Sequence, residues 1–167
     1  MRLNLTKIND EIIIFEFPEF NVQEEVNTYY YFLDSNIENH INEYSKIITV
    51  IQKVLHNWLN CLSSNDNEVY LPFDFEDEYI SFFKIFKETN QSCKFQIICS
   101  RNFNGYSIIP SKVMFKSSDF KNCEIDFLTS VFTFNIDEFI IDIKTIIEEL
   151  QYENKNSTKI KWFNITN

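Results

Sequence analysis

The side chains able to do chemistry are few. Two histidines, His40 and His56, are 16 residues apart. On one helix, 100° per residue sets them about 160° apart around the axis. From that helix they cannot ligate one metal or share one substrate. Four cysteines, Cys61, Cys93, Cys99 and Cys123, include no pair with the two-residue gap of a zinc or redox motif. Cys93 and Cys99 would share a face of one strand yet stand about 20 Å apart along it. A thiol nucleophile needs a base beside it, and nothing local supplies one. The cysteines therefore read as reduced core residues of a cytosolic protein. The densest cluster is Asp74-Phe75-Glu76-Asp77-Glu78. Carboxylates in such a run can hold Mg²⁺ or Ca²⁺, but the glycine turn and ligand spacing of an EF-hand are missing. The run reads as a solvated loop or a partner-facing patch. We expect no catalytic residues, no metal and no cofactor.

Charge is distributed unevenly. Fifteen basic residues stand against 25 acidic ones, a net charge of −10. Nucleic acid and anionic membrane surfaces are disfavoured as partners, because both are bound through Lys and Arg. No lysine or arginine lies between Lys7 and Lys46, a stretch that holds Glu19, Glu24, Glu25 and Asp34 among its acids. A second such gap runs from Lys53 to Lys84 and contains the 74–78 cluster. Each block is either a solvated face or a surface for a basic partner.

The elements that must position these residues follow from periodicity. With 167 residues and 44% hydrophobic content, the chain can bury a core as one domain without disulfides or metal. The apolar runs are too short for a membrane span. Leu3 and Leu5, a turn at Asn9-Asp10, and Glu11–Phe17 predict a hairpin that stops at Pro18. Residues 20–33 fit a helical stripe or, at Tyr29–Phe32, a strand. Those aromatics are core or partner anchors. Ser35 and Glu38 form a capping-box pattern that opens a helix to Leu62. Strands follow at Val69–Phe75 (bent at Pro72), Tyr79–Phe86, Lys94–Phe103, Tyr106–Phe115 and Ile125–Phe134. Asn104-Gly105 predicts a tight hairpin turn, because both positions must accept positive φ. Asn135 caps a closing helix over about Ile136–Gln151. The expected fold is α+β: one domain over 1–152, with an antiparallel meander of five or six strands packed on the long helix and the closing helix. Residues 153–167 form a polar tail, with Lys159–Trp162 an added edge strand or loose.

The stretch Phe132-Thr-Phe-Asn-Ile-Asp-Glu-Phe-Ile-Ile-Asp-Ile-Lys-Thr-Ile-Ile-Glu-Glu-Leu150 resembles the strand-then-helix ending of small bacterial immunity proteins. These accompany polymorphic toxins and contact-dependent growth inhibition systems. The resemblance spans residues 68–150 and is architectural and compositional. The chain has 24 Ile, 18 Phe and 20 Asn but no Ala, as in horizontally carried AT-rich genes. The resemblance implies a cytoplasmic, non-enzymatic protein that neutralises a basic toxin domain, often a nuclease, by tight one-to-one binding. It carries over no individual contact. The acidic stretches supply the candidates: Asp74, Phe75, Glu76, Asp77 and Glu78 first, then Glu19, Glu24, Glu25 and Asp34. Phe75 is the candidate apolar anchor. An adaptor domain for another cytosolic protein and a small carboxylate enzyme remain open.

Overall fold

A computed structural model describes residues 2–7, 11–37, 42–89 and 91–163, with side chains as far as Lys155. Asn4–Lys7 (β1) pairs antiparallel with Ile12–Phe17 (β2), as the alternation predicts, with Leu5 opposite Phe15. The proposed turn at Asn9-Asp10 lies outside the described residues. After a 3₁₀ turn at Pro18–Phe20, Val22–Asn27 (β3) completes a three-stranded sheet on the other side of β2. Tyr29–Phe32 (α1) is a single helical turn. Residues 20–33 thus contain both a strand and a helix, but in the reverse places: the start of the helical stripe, Val22 and Val26, is strand, and the strand-like run Tyr29–Phe32 is helix.

The long helix, Glu43–Leu62 (α2), begins seven residues later than the capping-box pattern at Ser35 predicts. Its N-cap is Asn42, whose side chain accepts the Ser45 N–H at 2.9 Å. Asp34 explains the delay. Its carboxylate accepts the N–H of Asn36 at 2.9 Å and that of Ser111 at 2.7 Å. This holds the chain in a turn where the helix was expected to start. Glu38 and His40 lie outside the described residues. His56 is exposed on α2.

Glu68–Phe75 (β4), Ile80–Lys87 (β5) and Ser92–Ser100 (β6) form an antiparallel meander. Proline removes a ladder donor. Accordingly β4 is the outer strand, and its register slips between Pro72 and Asp74. The Pro72 carbonyl accepts instead from Trp58 Nε1 of α2 at 2.9 Å. The expected strand over 125–134 is divided into Asp126–Phe127 (β7) and Phe132–Asn135 (β8), both paired with β6. Between them the Thr129 hydroxyl takes the Ile97 N–H at 3.0 Å, in place of a strand carbonyl. Ile136–Phe163 (α3) closes the chain. It runs past the predicted end at Gln151, so Lys159–Trp162 is helical and adds no edge strand. The result is α+β, but with two sheets of three and five strands where one meander was expected.

The predicted hairpin at Asn104-Gly105 does not form. Asn104 caps a 3₁₀ turn, its side chain accepting the Ser107 N–H at 3.1 Å. Gly105 has no positive φ. Tyr106–Phe115 is irregular apart from a bridge between Phe115 and Tyr70. The segment lies over the large sheet, where Phe103, Phe115 and Phe120 pack on Phe82 at 4.9–5.9 Å. The opposite face of that sheet meets β2 and α2. Phe83 contacts Phe15 at 5.8 Å, Phe17 at 5.1 Å and Trp58 at 5.4 Å. With both faces covered, β4 and β5 read as nearly continuous apolar runs.

Truncating Phe83 tests this layering. Phe83→Ala should lose about 3–5 kcal/mol of stability, read as a lower urea midpoint. Phe86→Ala, on a ring 40% exposed, should lose far less.

Candidate functional site

The structure divides the candidate residues by burial. Phe75 is fully buried and packs edge-on against Tyr31 at 5.4 Å. It cannot anchor a partner, because its strand position faces the core. Asp34 is buried and spent on the turn described above. The backbone N–H of Arg2 donates to Glu19 at 2.6 Å, at the amino-terminal strand. On β3 successive side chains alternate between faces. Glu24 lies opposite Phe15 and is half-buried, whereas Glu25 lies opposite Ile14 and is exposed. Glu24 and Glu25 therefore cannot serve one site.

What the fold does assemble is Glu24 with Asp74, Glu76 and Asp77. The β4–β5 turn closes with Glu76 N–H donating to the Tyr79 carbonyl at 3.0 Å. Gly105 N–H donates to the Glu76 carbonyl at 2.8 Å, which ties the irregular 105–110 segment to the acidic turn. A Cβ on Gly105 would lie 2.8 Å from the ring of Tyr30. The only glycine in the chain is thus required by close approach and not by a positive φ. The Tyr30 hydroxyl donates to Asp77. Burial, then the bonds to Asp77 and Tyr106, push that phenol well above its ordinary value.

Asp74 is the unusual carboxylate. It is 9% exposed, and one oxygen accepts from the Ser81 hydroxyl at 3.5 Å. Its other oxygen, Oδ1, has no hydrogen-bond partner among the described residues. Burial pushes the carboxyl up to about 7 from an ordinary 3.8. The charge of Glu76 adds to this, the Ser81 hydroxyl opposes it, and Glu24 adds further. Burial also raises Glu24, and burial with the charge of Asp77 raises Glu76.

Beside this acidic notch lies an aromatic rim, to which the run Tyr29–Phe32 contributes Tyr29 and to which Tyr106 and Leu33, not singled out in the sequence, add. Tyr30 and Tyr31 are buried, but Tyr29 is 52% exposed, Leu33 46% and Tyr106 71%. Tyr106 stands at 89° to Tyr30, with ring centroids 5.5 Å apart. A pocket of about 210 Å³ opens between Tyr30, Leu33, Asp34, Gly105, Tyr106 and Ile108. The isolated glycine was the available signal, misread as a hairpin turn. Among the described residues, Glu76, Asp77 and Glu78 have no Lys or Arg partner. The ion pairs Lys84–Glu68 and Lys94–Glu88 lie elsewhere. Among those residues no group of three or more His, Cys, Asp or Glu is arranged to hold a metal, and no helix is long and apolar enough to cross a membrane. Cys93 is buried and the other three thiols are half-buried, all free. No protein-family model matches the chain, and no curated protein or solved structure shows significant similarity to it.

Two outcomes follow. The folded state holds the Asp74 proton up to about pH 7, whereas the unfolded chain releases it near 3.8. Between these values the native state binds more protons, so stability falls as pH rises, by up to about 4 kcal/mol. Glu24 and Glu76, also raised, tilt it the same way. Asp74→Asn should flatten most of this slope and raise the urea midpoint at pH 8. Gly105→Ala forces the buried Tyr30 ring to move and should cost about 1–3 kcal/mol, measured by the same unfolding series.

Proposed function

We propose that this protein is an immunity protein of the toxin-neutralising kind. It binds a basic toxin domain, of nuclease type, one to one in the cytoplasm and covers its active site. The observation that carries this reading is that exposed Tyr29 and Tyr106 both pack on Tyr30, whose hydroxyl bonds to Asp77 of the acidic 76–78 turn, while Gly105 bonds to the Glu76 carbonyl of that turn. Tyrosines are frequent hot-spot residues because they bury large area with little rotamer loss. Unpaired carboxylates around them would steer a basic partner and raise its association rate. The excess of acid, −10 over the whole chain, favours the same partner. Such a protein acts by occupancy and needs no turnover.

One observation favours a second reading. A carboxyl held at about 7, as in Asp74, suits acid–base catalysis. Its unpartnered oxygen is sealed from solvent, so a substrate cannot touch it in this conformation. The binding reading is therefore the one retained.

The test is co-expression with the product of the gene immediately upstream, which this reading expects to encode the toxin. The pair should co-purify at one to one, and growth arrest by the toxin should be relieved. Glu76→Lys with Glu78→Lys, on the exposed turn, should slow association about tenfold or more at low salt, with the difference shrinking at high salt. No co-purification would overturn the immunity reading. An unchanged rate and salt slope would remove this face from the interface.

A further inference from the structure

We propose that the pocket between Tyr30, Tyr106 and the 105–110 segment receives a lysine or arginine side chain of the partner. The proposal rests on the binding reading above and names its anchor. The pocket, about 210 Å³, is lined by Tyr30 and Tyr106, by Leu33, Ile108, Ile109 and Pro110, and by Ser35, Gly105 and the buried Asp34. Among the described residues no lysine, arginine or histidine lines it. The two rings, at 89° and 5.5 Å, form a corner. One face of Tyr30 is occupied by Gly105, and Tyr106 is the more open ring, at 71% exposure. A cation within about 6 Å of such a ring is attracted by its quadrupole, more strongly once water is displaced.

The remaining walls select for a long cationic side chain. Leu33, Ile108, Ile109 and Pro110 suit the methylene stem that lysine and arginine lay along apolar surface. Asp34 contributes negative charge from a fixed position, since backbone N–H groups of Asn36 and Ser111 hold its two oxygens. It has no Lys or Arg partner among the described residues. Asp77, on the Tyr30 hydroxyl, adds a second carboxylate beside the ring pair. A purely apolar anchor would gain nothing from the negative charge of Asp34 and Asp77 around the pocket. An acidic anchor would meet two like charges. A cation satisfies every wall.

The experiment needs no toxin, so its outcome is independent of the co-expression result. The full chain, isotopically labelled, is titrated by NMR with Nα-acetyl-lysinamide, Nα-acetyl-argininamide and the uncharged Nα-acetyl-norleucinamide. The two cationic probes should give saturable shifts at Leu33, Ser35, Gly105, Tyr106 and Ile108. The norleucine probe should bind at least tenfold more weakly. Tyr106→Leu keeps an apolar wall but removes the ring, and should weaken the cationic probes roughly fivefold or more, with the rest of the spectrum unchanged. Equal shifts from all three probes, cation-induced shifts confined to other surfaces, or full binding by Tyr106→Leu would each overturn the proposal.

Discussion

Phe83 is the ring on which the layers of the molecule meet, and the arrangement of the rest follows from covering it. It stacks on Phe73 across the β4–β5 ladder at 3.9 Å, while Phe15 and Phe17 of the small sheet and Trp58 of α2 approach it edge-on or nearly so. Pairs of this kind contribute about 0.5–1.5 kcal/mol each beyond the area they bury. Their directional preference also fixes how the small sheet sits on the large one. Trp58 does double duty, since its indole N–H satisfies the Pro72 carbonyl at the bulge. A core of phenylalanine and isoleucine without alanine leaves few ways to bring backbones close, so irregular loops must cover what helices and strands cannot.

That scarcity of small residues explains how the candidate face is held. The 101–125 segment covers the outer face of the large sheet with Phe103, Phe115 and Phe120. Where it passes α1 it uses the one glycine, laid against Tyr30. The same Gly105 N–H bonds to the Glu76 carbonyl, and the Tyr30 hydroxyl bonds to Asp77. One backbone contact thus couples the aromatic rim to the acidic turn. Among the described residues the face is positioned by core packing beneath it and not by salt bridges upon it.

The sequence disclosed periodicity well and contact poorly. The hairpin of β1 and β2, the bent edge strand at Pro72 and the closing helix were legible because each is a local pattern. The start of α2 was not, because Asp34 is held by Ser111, 77 residues along the chain. The hairpin at Asn104-Gly105 was misread for a related reason. A glycine required by φ and a glycine required by a neighbouring ring look identical in one dimension. The acidic stretches were legible as charge, and their convergence at Glu24, Asp74 and Glu76 was not. Phe75 and Asp74 were expected at the surface because their neighbours are charged. The strand ladder carries both inward, and the bulge between Pro72 and Asp74 sets where on the edge they fall.

The carboxylates therefore divide by what their surroundings let them do. Asp34 is buried with two backbone donors, so its burial is compensated and it serves as a fixed charge and a clamp. Asp74 is buried with one weak donor and two acidic neighbours, so it keeps its proton to about pH 7 and contributes little charge below that. Asp77, despite its bond to the Tyr30 hydroxyl, and Glu78 are exposed, and an exposed acid is worth only a few tenths to about 1 kcal/mol in a rim contact. On the proposed interface affinity would come from the tyrosines, while the exposed acids would govern approach and partner sign. The separation of roles follows from burial alone: the same side-chain type is a clamp, a proton store or a steering charge according to the donors within reach.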